Sequence, residues 1–232
     1  MKLVTISGPP SSGKTAVLAG VIKSLKTAGL RTGALKYDCL STDDDVRFKS
    51  LGIPVQTGLS GNLCPDHYFV SNIEECLTWG IELGLDILLS ESAGLCNRCA
   101  PHIKGVLAVC VIDNLMGATT PKKIGPMLKY ADIVVITKGD IVSQAEREVF
   151  AFQVRRANPK ARIMHINGIT GQGASELASQ FEKAPETVNL EGERLRFSMP
   201  AALCSYCLGE TRIGMEFQLG NIKRIKIQES AS

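Results

Sequence analysis

Two cysteine pairs, CNRC at 96–99 and CSYC at 204–207, have the spacing at which two thiols can meet one soft cation. A chain kept in a reducing compartment does not build a disulfide framework from its eight cysteines, so this spacing points to metal or redox chemistry. The first pair lies in ESAGLCNRCAPH (91–102), where Glu91 ends an apolar run and His102 follows the thiols. Cys76 and Cys110 have no such neighbours and read as small buried apolar residues, while Cys39 is left open. His102 and His165 read as non-ligands.

A second chemical signal is more local. GPPSSGKT at 8–15 fits G-x-x-x-x-G-K-[ST] and stands between a strand-like run and a helical one, as a phosphate-binding loop requires. Its glycines let backbone amides turn toward a phosphate at a helix N-terminus. Gly8, Ser11, Ser12, Gly13, Lys14 and Thr15 are the expected nucleotide contacts, with Lys14 on the β- and γ-phosphates and the Thr15 hydroxyl on Mg²⁺. Downstream, ITKGD (136–140) resembles the guanine-reading N/T-K-x-D motif of GTPases. Asp140 would accept from the guanine edge, Lys138 would pack along the ring, and Thr137 stands where asparagine is commoner. This favours GTP over ATP, with NGITGQG (167–173) placed as a further base loop.

These residues need a scaffold, and the hydrophobic pattern supplies one. Runs at 2–6, 31–37, 86–90, 106–112, 132–137 and 161–166 read as short buried strands. Amphipathic stretches at 14–28, 65–81, 121–130, 143–157 and 173–183 lie between them. The alternation predicts an α/β fold with a doubly wound, mostly parallel sheet, a P-loop NTPase domain over 1–184. The pattern changes over 185–232, which reads as a small β-rich extension carrying the second cysteine pair. A formal net charge of +3 gives no argument for nucleic acid, and the basic cluster Lys223, Arg224, Lys226 reads as a solvated strand face. No apolar run approaches the ~20 residues of a membrane span, and the start is too short for a signal-peptide core. A cytoplasmic chain is expected.

Residues 36–77 carry a further likeness. A strand ending in Asp38, a stretch with Thr42, Asp45 and Arg47, then Thr57–Gly58 followed by Cys64 and His67, resemble the nickel-insertion GTPases of hydrogenase and urease maturation (CobW/HypB/UreG-type proteins). Glu91, Gly94, Cys99 and Pro101 fit the loop that follows in those proteins, and the likeness spans roughly 1–184. Two departures stand out: Pro65 and Asp66 separate Cys64 from His67, and Cys96 is an extra thiol.

The resemblance implies that 91–102 is a switch loop, with Asp38 and Glu91 acting at Mg²⁺ or the attacking water beside Lys14. It also implies metal ligands that meet across a nucleotide-dependent homodimer, and a client metalloenzyme or its accessory proteins as partner. Two ligand sets are open: Cys64, His67, Cys96 and Cys99, or the four thiolates Cys96, Cys99, Cys204 and Cys207. Zn²⁺, Ni²⁺ or an iron–sulfur cluster suits such donors. The leading expectation is a GTP-hydrolysing metallochaperone. An ATPase with a bridging iron–sulfur cluster and a non-catalytic, nucleotide-bound metal sensor are the alternatives.

Overall fold

The computed structural model describes residues 1–41, 44–198, 204, 207–220 and 222–228 of the chain. Seven strands form one sheet: β1 (Lys2–Ser7), β2 (Thr32–Asp38), β3 (Val55–Leu59), β4 (Ile87–Ser92), β5 (Leu107–Asp113), β6 (Ile133–Thr137) and β7 (Arg162–His165). They run in the order β3-β2-β4-β1-β5-β6-β7, and every pairing is parallel. Near-continuous apolar runs such as Val109–Ile112 and Val134–Ile136 suit strands covered on both faces. Strand order reverses beside β1, which opens a crevice at the carboxyl ends of β1, β4 and β5, where such sheets bind ligands.

Six helices cover the sheet: α1 (Lys14–Thr27), α2 (Asp44–Lys49), α3 (Pro65–Glu82), α4 (Pro126–Lys129), α5 (Gln144–Ala157) and α6 (Ala174–Glu182). The side chains Val17, Leu18, Val21, Ile22 and Leu25 of α1 and Leu177 and Phe181 of α6 bury one face. On the other face Tyr68, Phe69, Ile73 and Trp79 of α3 pack on Leu3, Leu35 and Leu88, and Phe150 and Val154 of α5 pack with α4. Two elements, β3 and α2, are additions to the six strands and five helices read from the pattern. The helix expected over 121–130 is broken instead: a 3₁₀ turn at Thr120–Lys122 is followed by the single turn of α4. Gly125 at φ +67° and Pro126, which has no amide hydrogen, interrupt the ladder.

The tail shows no strand among its described residues. Its β-character is reduced to isolated bridges, Lys2 with Glu186, Ile103 with Leu195 and Arg194 with Arg212, and the basic cluster 223–226 is not on a strand. Leu190, Leu195, Ile213 and Ile225 instead join the core against α3. Arg196 clamps this path: its guanidinium reaches both carboxylate oxygens of Asp132 (2.8 and 2.7 Å) and the carbonyls of Ile103, Tyr130 and Val106. The amide of Asn72 brackets the Lys223 carbonyl (2.9 Å) and the Ile225 amide (2.7 Å). Among the described residues no helix is long and apolar enough to cross a membrane.

Candidate functional site

The phosphate loop joins β1 to α1, and its backbone is built for close approach. Gly8 sits at φ +143°, where a Cβ would lie 2.0 Å from the Val111 carbonyl oxygen, so no larger residue fits. The Lys14 ammonium turns back on the loop and donates to the carbonyls of Gly8 (2.8 Å), Pro9 (2.9 Å) and Ala93 (3.4 Å). Burial lowers its pKa, and Glu91 opposes that shift. An open cleft of about 390 Å³ lies over the loop, lined by Ser11, Gly13, Lys14, Thr15, Lys36, Asp38, Asp44, Arg47 and Glu91, among others. Ser12 is fully buried; its carbonyl accepts the Thr137 hydroxyl at 2.7 Å, so it fastens the loop from below.

Strand register decides what faces the phosphates. Lys36 of β2 and Ile6 of β1 both pair with Glu91 of β4. The Thr15 hydroxyl donates to Glu91 Oε1 at 3.0 Å and reaches Oε2 at 3.2 Å. The Lys36 ammonium, 3% exposed, lies 2.6 Å from Glu91 Oε1, 2.5 Å from Asp44 Oδ2 and 3.9 Å from Asp38 Oδ2. Burial alone would lower the Lys36 pKa, but Glu91 and Asp44 hold it above its ordinary value. Thr15, Asp38 and Glu91 thus share one oxygen-rich wall, a donor set that suits Mg²⁺, with an ammonium among the carboxylates. Lys36 and Asp44 were not among the expected site residues. The available signal was a lysine inside a buried strand, which must be paired. Thr42 lies outside the described residues.

The sequence expected to read the base meets the phosphate loop at Ser11. Lys138, in the left-handed region at φ +55°, lays its ammonium on the Ser11 carbonyl (2.9 Å) and on Asp113 Oδ2 (3.1 Å). Asn114 holds the Thr137 carbonyl at 2.8 Å, and Asp140 is exposed at the rim. The loop after β7 turns on Asn167, whose side chain accepts the Ile169 and Thr170 amides, and Gly168 packs against Ala16 of α1.

Residues 91–102 connect the cleft to a second site. At Gly94 (φ +71°) a Cβ would fall 1.7 Å from the Gly8 carbonyl oxygen, so loop and phosphate loop are in backbone contact. The Asn97 carbonyl packs on Gly125, where a Cβ would meet it at 2.5 Å. At the far end His102 is fully buried between Thr5 Oγ1 (3.2 Å), Ser7 Oγ (3.2 Å) and the Met127 carbonyl (3.1 Å). Burial pushes its pKa down to about 4. It anchors the loop.

Between these anchors a small cavity of about 20 Å³ is lined by Cys64, Asp66, His67, Cys99, Cys204 and Cys207, with Val70, Leu195, Phe197 and Ser198 among the remaining walls. It draws from both expected ligand sets. Cys96 is not in its wall, although it neighbours Cys99. Cys64 N-caps α3, and burial, with Asp66 close by, pushes its thiol up to about 12; burial also raises Cys99. Asp66 is 7% exposed: Oδ1 accepts from Ser92 Oγ at 2.8 Å, and Oδ2 has no hydrogen-bond partner. Burial raises its carboxyl to about 6. None of the eight cysteines is in a disulfide, and no three His, Cys, Asp or Glu side chains among the described residues are grouped so as to hold a metal ion. Cys76 and Cys110 are buried as expected.

The family described as CobW/HypB/UreG, nucleotide-binding domain, matches residues 2–165. An uncharacterized protein of Methanocaldococcus jannaschii is 50% identical over 225 residues, covering 97% of this chain and 96% of its own. The urease accessory protein UreG of Haloquadratum walsbyi is 28% identical over 203 residues, 78% of this chain and 94% of its own. Among solved structures, HypB of Helicobacter pylori in complex with nickel superposes with a TM-score of 0.63 at 18% identity, covering 81% of this chain and 90% of that one. The hydrogenase maturation factor HypB of Archaeoglobus fulgidus gives 0.62 at 22% identity, over 79% and 89%.

Proposed function

This chain belongs to the CobW/HypB/UreG family, and from that premise we propose that it is a GTP-hydrolysing metallochaperone. Its cargo is a transition-metal ion, Ni²⁺ or Zn²⁺, delivered to a client metalloenzyme or that enzyme's accessory proteins. The observation that carries the reading is the continuity of one loop: Glu91, Ala93 and Leu95 line the phosphate cleft, and Cys99 and Ala100 line the thiol cavity.

The roles follow from placement. Amides of the phosphate loop and Lys14 hold the triphosphate, and Thr137, Lys138 and Asp140 select guanine. Mg²⁺, when bound with the nucleotide, neutralises charge on the β- and γ-phosphates. Thr15, Asp38 and Glu91 would hold it, and Asp38 or Glu91 would orient the attacking water. Cys64, His67, Cys96, Cys99, Cys204 and Cys207 are the cargo donors within reach of the loop. A nucleotide that draws Glu91 toward Mg²⁺ pulls on Ser92, whose hydroxyl holds Asp66 at the thiol cavity. The coupling is reciprocal: cargo that fixes the cavity changes GTP affinity by the same factor. Pairing of two copies through this nucleotide face would give the homodimer.

The test is GTP affinity and turnover with and without one equivalent of Ni²⁺ or Zn²⁺. Metal should change GTP affinity of the unaltered protein by at least about 5-fold, a typical lower bound for coupled sites. It should do nothing in a Cys96→Ala/Cys99→Ala variant. Metal binding and GTP turnover that both survive that double substitution unchanged would overturn the reading.

A further inference from the structure

We infer that the tail completes the cargo site within one chain: Cys204 and Cys207 join Cys64 and Cys99 as thiolates around a single soft divalent cation, beside the Asp66 carboxylate. The inference deepens the proposed function and rests on it, but it differs from a site shared across a dimer. The four sulfurs come from α3, the switch loop and the tail, and all line one cavity. The tail is held there by buried Leu195 and by the Arg196 clamp on Asp132. The matched family domain stops at residue 165, before this segment, so the tail thiols are an addition to it.

Asp66 points to a cation independently of the thiols. Its Oδ2 is buried and receives no hydrogen bond, which is costly unless something positive meets it. A cavity of about 20 Å³, set against the roughly 10–15 Å³ that one water needs, suits a single ion. Four thiolates select Zn²⁺ or another soft ion over Mg²⁺ or Ca²⁺. Cys207 Sγ lies 3.3 Å from Ser198 Oγ at the cavity wall, and a bound cation would displace the thiol protons to solvent, since thiolates are the ligating form.

The experiment uses Co²⁺ as the probe on the full chain, read by thiolate-to-cobalt charge-transfer absorption together with mass in solution. One Co²⁺ per monomer is expected, and Cys204→Ser/Cys207→Ser should reduce the charge-transfer intensity to about half, as two of four thiolate ligands are lost. Cys39→Ser should leave the intensity unchanged, since Cys39 is not in the cavity wall, and Asp66→Asn should weaken binding roughly 10-fold, as loss of a supporting group does. Undiminished absorption in the tail variant would overturn the inference and leave the switch-loop reading intact. So would one ion per two chains. No cobalt on the unaltered protein would sink both. Alkylation mapping of the unaltered chain is independent of variant folding: one equivalent of Zn²⁺ should protect Cys64, Cys99, Cys204 and Cys207 but leave Cys39 reactive. Reactive Cys204 and Cys207 under that condition would refute the tail's role.

Discussion

Replacing Lys36 by methionine tests the electrostatics of the phosphate cleft most directly. Its ammonium touches Glu91, which is 1% exposed, and Asp44, whose side chain is 35% exposed. Removing one partner of a buried ion pair costs about 3–5 kcal/mol, because the other charge is left without compensation. Asp44 can turn to solvent, so most of the loss falls on Glu91, and the Thr15 hydroxyl offsets part of it. The expected destabilisation is therefore near the lower end, about 3 kcal/mol. For a chain of this size, at ~2–4 °C per kcal/mol, the melting temperature should fall by roughly 6–12 °C in magnesium-free buffer. On the proposed roles, Mg²⁺ with GTP would supply the missing positive charge at Glu91. The gap between variant and unaltered protein should close by more than half at saturating Mg²⁺·GTP, read by calorimetry or thermal fluorescence. A variant within about 1 kcal/mol of the unaltered protein would refute the argument that Lys36 is the counter-ion of this cluster, since surface pairs contribute no more than that. A gap that Mg²⁺·GTP leaves unchanged would refute it as well.

Three further outcomes are expected. Gly94→Ala places a methyl group against the Gly8 carbonyl at a positive φ, so GTP affinity measured by titration calorimetry should fall by roughly 100-fold or more as the phosphate loop shifts. His102 titrates near 4 when folded against about 6.5 unfolded, so the unfolded chain binds the extra proton between those values. Stability is complete above pH 6.5 and falls by about 3 kcal/mol as pH drops toward 4; His102→Asn should flatten that limb of the denaturant-unfolding profile. Asp140→Asn exchanges an acceptor for a donor at the base edge, so the ratio of GTP to XTP affinity should fall by about 100-fold in competition binding. An unchanged ratio would place guanine recognition elsewhere.

The residues 8–15 were legible in the sequence because a phosphate loop is decided within one strand–turn–helix, by glycine conformations and a helix N-terminus that need no distant partner. The other six strands besides β3 and the helices α1, α3, α5 and α6 were legible for a similar reason, since hydrophobic period fixes which face they bury. Two elements escaped: β3 carries Gly58 in a run of only five residues, and α2 begins inside the aspartate-rich run and is too brief for its periodicity to register. The β-rich reading of the tail rested on weak helical periodicity, alternation near its end and turn glycines, whereas among the described residues its buried side chains pack on the α3 face.

Within the site, sequence alone supplied the chemistry of Lys14, Thr15, Glu91 and the cysteines, but not their company. Lys36 and Glu91 are 55 positions apart and meet because β2 lies beside β4 in one register; a one-residue slip would turn Lys36 to the opposite face. Cys64 and Cys99 share a wall with Cys204 and Cys207 only because Arg196 and the buried leucines bring the tail across α3. Spacing reports which donors a chain owns. Which of them face one another is settled by the burial of apolar surface far from the donors themselves, and that is a property of the folded chain.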